Sequence, residues 1–386
     1  MRRLGLTVLA AAVLAAPADA IPAFARKYSL TCMTCHDPIP RLNSFGDRFA
    51  AQGYALSPDD TTGMTTLGDP LLLLNTSLPI AIRFDAYARY VRTQGGGNGR
   101  TDFATPTIAK LLSGGQIAPG VSYYIYLLLA EEGVTGPIED AWLMFRQPVG
   151  IPADITVGQF QIIDPLWRRE LRITLEDYTI LSQRVGDGAA NLTYDRGVIV
   201  GVAPTERTAV FAEIVNGNGI EPAVNGQFDG DAPKTGILIA TQQVGPLRIG
   251  AVGYYGRQRL TPTGASTYSE NLTRMAGPAV QARVGNLDLG VQWLYRDDSD
   301  PTFTGANDLT VTRGGFAEVN WWPTGRGTRA LVTGLYNAVS SPGADYRSLT
   351  LNASWLYMRN IRLAFEGTYE FEGKTTSLGL GMVTAF

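Results

Sequence analysis

The sequence predicts a mainly β protein: a transmembrane antiparallel β-barrel of about sixteen strands, with a small α-helical segment at its N-terminus. Two observations carry the barrel. From about residue 78 to the end, apolar and polar residues alternate in stretches of roughly ten, separated by clusters of Gly, Pro, Asn and Asp. The composition agrees, with 44 glycines, 17 tyrosines, 6 tryptophans and only 17% charged residues. A third observation sets the N-terminal segment apart. "SLTCMTCHDP", Ser29 to Pro38, holds both cysteines and the only histidine of the 386 residues.

Residues 1–20 read as an export signal. Arg2 and Arg3 form a positive n-region, Leu4 to Ala16 an apolar h-region, and Ala18-Asp19-Ala20 a small-x-small cleavage site before Ile21. The apolar stretch is too short for a membrane anchor, and no later stretch is long and apolar enough for a spanning helix. A net charge of -3 gives no basic excess, which argues against a nucleic-acid partner. Residues 21–68 read as a compact helical domain ending in a linker. Pro40 opens a pattern with Leu42, Phe45 and Phe49 on one helical face, and Gly53 is the expected stop. "SPDDTTGMTTLGDP", Ser57 to Pro70, is a loop by its turn residues and contains Met64.

Residues 69–386 read as the barrel. In "IAIRFDAYARYV", Ile82, Phe84, Ala86, Ala88 and Tyr90 alternate with Arg83, Asp85, Tyr87 and Arg89. The stretches beginning at Arg207, Leu287, Arg347 and Ile361 alternate in the same way. Sixteen strands are expected to begin near residues 79, 104, 121, 138, 154, 192, 207, 235, 246, 276, 286, 311, 327, 346, 360 and 375. A soluble β-sandwich also alternates. Three features favour the barrel. Aromatic pairs such as Tyr123-Tyr124, Tyr254-Tyr255, Trp321-Trp322 and Trp355-x-Tyr357 suit interfacial girdles. Charges in mid-strand (Arg83, Asp85, Glu213, Arg362, Glu366) suit a wet lumen. The chain ends on an alternating strand with terminal Phe386, as outer-membrane barrels do. Asp164 to Gly188 is charged and poorly alternating. It reads as a long loop, either folded into or over the lumen or extracellular.

Cys-x-x-Cys-His is the attachment signature of c-type haem. It assigns Cys32 and Cys35 to the two thioethers and His36 to the iron as proximal ligand. A structural zinc site needs four ligands, and the chain has no other Cys or His. A thioredoxin-like pair needs a βαβ setting, which the pattern lacks. With no second histidine, the distal ligand is expected to be methionine. Met64, in the linker, is the candidate. Met144, Met275, Met358 and Met382 lie on candidate strands, and a five-coordinate iron is the remaining option. Fewer than about fifty residues bury little apolar surface alone, so the haem and the barrel are expected to complete this domain, which would plug or cap the lumen.

The run from Pro22 to Tyr54 resembles the fused cytochrome–porins of bacterial outer membranes, whose best-known members are iron-oxidising outer-membrane cytochromes. The resemblance rests on Pro22, Phe24, Ala25 and Arg26, then Cys32, Cys35 and His36, then Pro40, Leu42, Phe45, Gly46, Phe49, Gly53 and Tyr54. This chain reads Lys27-Tyr28 where the iron-oxidising branch reads Gln-Thr, and its His36–Pro40 spacing is shorter. The resemblance implies one haem c, a porin-like barrel in the outer membrane, and electron transfer from an extracellular donor such as Fe(II) to a periplasmic carrier. Two other functions compete: a diffusion porin with a structural or redox-sensing haem plug, and a haem peroxidase, which would want a distal acid–base group.

Overall fold

The computed structural model describes residues 23–77, 79–261, 267–306 and 308–386. The expected export signal and its cleavage site lie outside the described residues. Three short helices open the chain: α1 (Ala23–Tyr28), α2 (Cys32–Cys35) and α3 (Ser44–Ala51). A two-stranded hairpin of β1 (Met64–Thr65) and β2 (Leu74–Asn75) follows, so the expected linker loop carries some regular structure.

Sixteen strands then close a barrel. They are β3 (Ile80–Thr93), β4 (Arg100–Ala118), β5 (Val121–Glu131), β6 (Ile138–Arg146), β7 (Asp154–Gln161), β8 (Tyr194–Thr205), β9 (Thr208–Val215), β10 (Thr235–Val244), β11 (Leu247–Leu260), β12 (Ser269–Val284), β13 (Leu287–Asp298), β14 (Thr310–Trp321), β15 (Ala330–Ser340), β16 (Tyr346–Met358), β17 (Ile361–Glu370) and β18 (Thr375–Ala385). Each pairs antiparallel with its sequence neighbours, and β18 closes on β3 from Thr375↔Thr93 to Ala385↔Arg83. The largest difference from the expected starts is β12, expected near 276 and beginning at Ser269. Its first residues are polar, so a pattern of alternating hydrophobicity misses the part of a strand that runs beyond the apolar belt.

The faces are inverted relative to a soluble sandwich. On β16, Ser348, Thr350 and Asn352 are buried inside, while Leu349, Leu351 and Trp355 are 45%, 59% and 48% exposed outside. A surface that turns leucine and tryptophan outward around a closed ring is built for a bilayer, and the closed ladder leaves no edge unpaired there. The aromatic pairs correct one expectation. Trp321 is exposed but Trp322 is buried, and Tyr255 is exposed but Tyr254 is buried. Successive strand residues point to opposite faces, so only one member of each adjacent pair can join a girdle.

The lumen is not a water column. The stretch between β7 and β8, residues 162–193, folds inside, with Leu166, Ile173 and Tyr178 at 1% exposure or less. One apolar cluster joins Phe49 and Tyr54 of the N-terminal segment, Leu166, Trp167 and Tyr178 of the inward stretch, and Phe316 and Leu335 of the wall. The mid-strand charges face inward as expected but meet protein. Glu366 accepts from the backbone N–H of Leu175 and Glu176, Glu213 accepts from that of Ile163, and Arg362 donates to the Ile173 carbonyl. The strand charges are therefore clamps on a buried loop, a role that alternation alone cannot distinguish from lining a pore.

Candidate haem-binding site

The N-terminal segment sits at the end of the barrel that carries β3's first residue and the two-residue turns after β4, β8, β11's predecessor β10, β12 and β16. In bacterial barrels the short turns face the periplasm. Arg26 of α1 donates to the Ile80 carbonyl at the foot of β3 (2.5 Å), and Asp37 pairs with Arg326 of the turn after β14 (3.6 Å).

Local chemistry fixes the Cys-x-x-Cys-His motif. The backbone N–H of His36 donates to the Cys32 carbonyl (2.9 Å), closing the single turn of α2. Asn43 holds α2 against α3. Its side-chain oxygen accepts from the N–H groups of Phe45 and Gly46, capping α3, while its amide donates to the Thr34 and Met33 carbonyls at 3.0 and 3.3 Å. Its backbone N–H donates to the Cys35 carbonyl (2.8 Å). At Gly46 an added Cβ would overlap that same carbonyl, so only glycine allows the two helices to meet there. Helix α3 therefore starts at Ser44 behind its Asn43 cap, later than the Pro40 expected, and ends at Ala51, with Gly53 just past the Gln52 cap at a φ of +68° that stops it.

Cys32, Cys35 and His36 all line one cavity of about 280 Å³, near the lower end of the roughly 300–1,000 Å³ usual for ligand and cofactor sites. Both cysteines are free, and burial pushes both thiols up from their usual value. The His36 ring sets its Nδ1 2.6 Å from the Pro40 carbonyl oxygen. A carbonyl only accepts, so Nδ1 carries the proton and Nε2 keeps its lone pair. Burial lowers the His36 pKa against the opposing effect of that hydrogen bond, so the ring is neutral at physiological pH. Phe24, Tyr28, Leu42, Phe49 and Tyr54 supply the apolar wall from the segment, and Leu112, Tyr124, Tyr126 and Val383 supply it from the barrel. Phe24 stacks on Tyr54 at 4.4 Å, and Tyr54 meets Tyr124 at 5.0 Å and Trp142 at 6.2 Å. Arg83, Arg168, Arg359 and Arg362 line the same cavity, where two propionates would need cationic partners.

These residues fit haem c. Two free thiols in a Cys-x-x-Cys-His spacing, an imidazole with its free lone pair, aromatic walls and four arginines line one cavity. Met64 does not join them. It pairs with Asn75 in the β1–β2 hairpin and is not among the residues lining the cavity.

Sequence reasoning missed two residues. The first is Asn43, which the rule of Asn just before a periodic apolar run would have found. The other is Arg41, 1% exposed, which donates to Glu318 of β14 (2.6 Å) and to the Tyr178 hydroxyl and stacks over Trp167 at 3.7 Å. No local signal marks it, because its partners lie far away in sequence.

No family model matches the chain, and no curated protein matches it. Solved porins do. A loop-deletion mutant of OmpT from Vibrio cholerae is 10% identical with a TM-score of 0.57, and 80% of this chain and 99% of that one are covered. An anion-selective porin from Comamonas acidovorans is 11% identical with the same TM-score and the same coverage. OmpF from Salmonella typhi, in complex with daunomycin, is 11% identical with a TM-score of 0.54. At such identities the likeness is one of fold: the chain is an outer-membrane barrel of porin architecture.

Proposed function

We propose that this chain is a one-haem outer-membrane electron-transfer protein, joining an extracellular donor to a periplasmic carrier. The observation that carries the proposal is the shared cavity of Cys32, Cys35 and His36, with Nδ1 of His36 already committed to Pro40. Cys32 and Cys35 would hold haem c by thioethers and His36 would be its proximal ligand. Bound there, haem c supplies a one-electron iron couple whose potential follows its axial ligation and the polarity around it. The chain does the rest. The Pro40 carbonyl orients the imidazole, the aromatic walls exclude water, and Arg168 and Arg359 offer charge to propionates. The donor is a one-electron reductant, and Fe(II) is the one to which the resemblance to iron-oxidising cytochrome–porins points.

The porin fold supports a second reading at least as well: a diffusion porin whose haem holds a plug. The packed cluster across the lumen weighs against free passage of solutes. Reconstitution in liposomes tests both readings. A conduit lets an external reductant reduce an enclosed acceptor while entrapped sugars stay inside. Rapid sugar efflux without electron transfer would reject the conduit and leave the porin.

A further inference from the structure

We infer that, among the described residues, His36 is the only side chain that binds the iron strongly, and that the position across the iron from it is a binding site for a small exogenous ligand of the carbon monoxide, nitric oxide or cyanide class. This rests on the haem reading above. The argument is one of supply. A strong sixth ligand from the protein is a second imidazole, a thioether or an amine. The chain has one histidine, and among the described residues no lysine or methionine lines the cavity.

Each described methionine is committed elsewhere. Met33, inside the motif, reaches the turn at Gly327, where its methyl lies 3.7 Å from a Cβ position. Met64 pairs with Asn75 in the β1–β2 hairpin. On β6, Met144 is buried, with its sulfur 3.1 Å from a Cβ position at Gly53. Met275 is buried on β12 in the apolar cluster. Met358 is 55% exposed at the end of β16, and Met382 stands opposite Leu363, which faces outward at 42% exposure.

What the cavity does offer is hydroxyl and carboxylate oxygen. Tyrosine binds ferric iron as phenolate, but burial pushes the Tyr54 hydroxyl up, and Tyr28 donates its proton to Asp60 at 2.7 Å. Neither competes for ferrous iron, which prefers softer donors. On this supply of ligands the ferrous protein keeps an open position, inside a cavity whose wall includes the rings of Phe24, Phe49, Tyr54 and Tyr124. An open position is not by itself a catalyst, since peroxide chemistry also needs a placed acid–base group.

Optical spectra of the full-length protein in detergent test this. A pyridine haemochrome assay first establishes haem c, and its absence would overturn the proposed function together with this inference. With haem present, the reduced protein is expected to be high-spin and to shift its Soret band on adding carbon monoxide. The ferric protein is expected to bind cyanide. Met64→Leu and Met144→Leu are expected to leave every spectrum unchanged. A low-spin ferrous spectrum indifferent to carbon monoxide would overturn the inference while leaving the haem reading intact. A methionine–iron band lost in Met64→Leu would do the same and name the ligand.

Discussion

Two stretches of chain share the lumen: residues 23–56, entering at the short-turn end, and residues 162–193, folding back between β7 and β8. The wall holds the second through side-chain pairs such as Lys110–Glu170, Tyr178–Glu318 and Tyr346–Glu176, and also by clamping its backbone. Glu366, Glu213, Arg362 and Arg296 bind N–H and carbonyl groups of Ile163, Ile173, Leu175, Glu176, Gln183 and Ala190. Such backbone clamps fix the loop's shape in addition to what its side chains contribute. The first stretch is held mostly through side chains: Arg41 on Glu318, Asp47 on Arg248, and Tyr54 against Tyr124 and Trp142. It also borders a cavity whose walls are shared with the barrel. The loop is thus a fixed part of the barrel, whereas the N-terminal segment is a guest completed by what fills the cavity.

On the proposed haem reading, removing the two thiols gives the largest effect. Cys32→Ala combined with Cys35→Ala is expected to abolish haem attachment entirely, read as loss of the haem mass in the intact protein. The emptied segment should then become sensitive to protease while the barrel stays resistant. Resistance of both to the same degree would erase the distinction drawn here.

Arg41→Met is next. It leaves the Glu318 carboxylate buried without its partner, which costs about 3–5 kcal/mol. Arg41→Met with Glu318→Gln should recover much of that loss in denaturant titrations, because no lone charge remains. Equal costs for the single and the double change would deny the coupling.

On the loop side, Glu366→Ala strands two backbone donors, at about 1–3 kcal/mol for each group left unsatisfied. Single-channel conductance in planar bilayers should rise as the loop loosens, and an unchanged conductance would mean that the remaining clamps suffice. Gly53→Ala should cost about 2 kcal/mol of segment docking, since its φ is +68° and the added Cβ lies 2.7 Å from Ser122. Protease protection of the segment reads this. Asp47→Asn should cost no more than about 1 kcal/mol, because the ion pair with Arg248 is partly solvated and its partner retains the Leu166 carbonyl.

The wall was legible in the sequence because period-two alternation is a local property, and β5, β6, β7, β10, β16 and β18 begin where the pattern places them. The inside of the barrel was not. Arg83, Asp85, Glu213 and Glu366 read as pore-lining charges, yet what they face is set by a loop that a sequence pattern cannot fold. The cavity was half legible. Spacing alone named Cys32, Cys35 and His36, and the helical face named Phe49. Met64 was chosen by sequence distance and chemistry, and the hairpin with Asn75 takes it elsewhere. Arg41 was invisible because its meaning depends on β14, nearly three hundred residues later.

The seam between β18 and β3 gives the cavity part of its wall: Ala81 and Arg83 on one side, Val383, Thr384 and Ala385 on the other. In a ring built from one chain, that seam joins the first strand to the last, so this part of the pocket exists only once the ring is complete. Biogenesis therefore has an order written into it. If the segment carries haem as proposed, the group would be most easily attached while the seam is still open, and ring closure would then enclose it. Closing first would leave the attachment machinery only the mouth of the finished barrel through which to work.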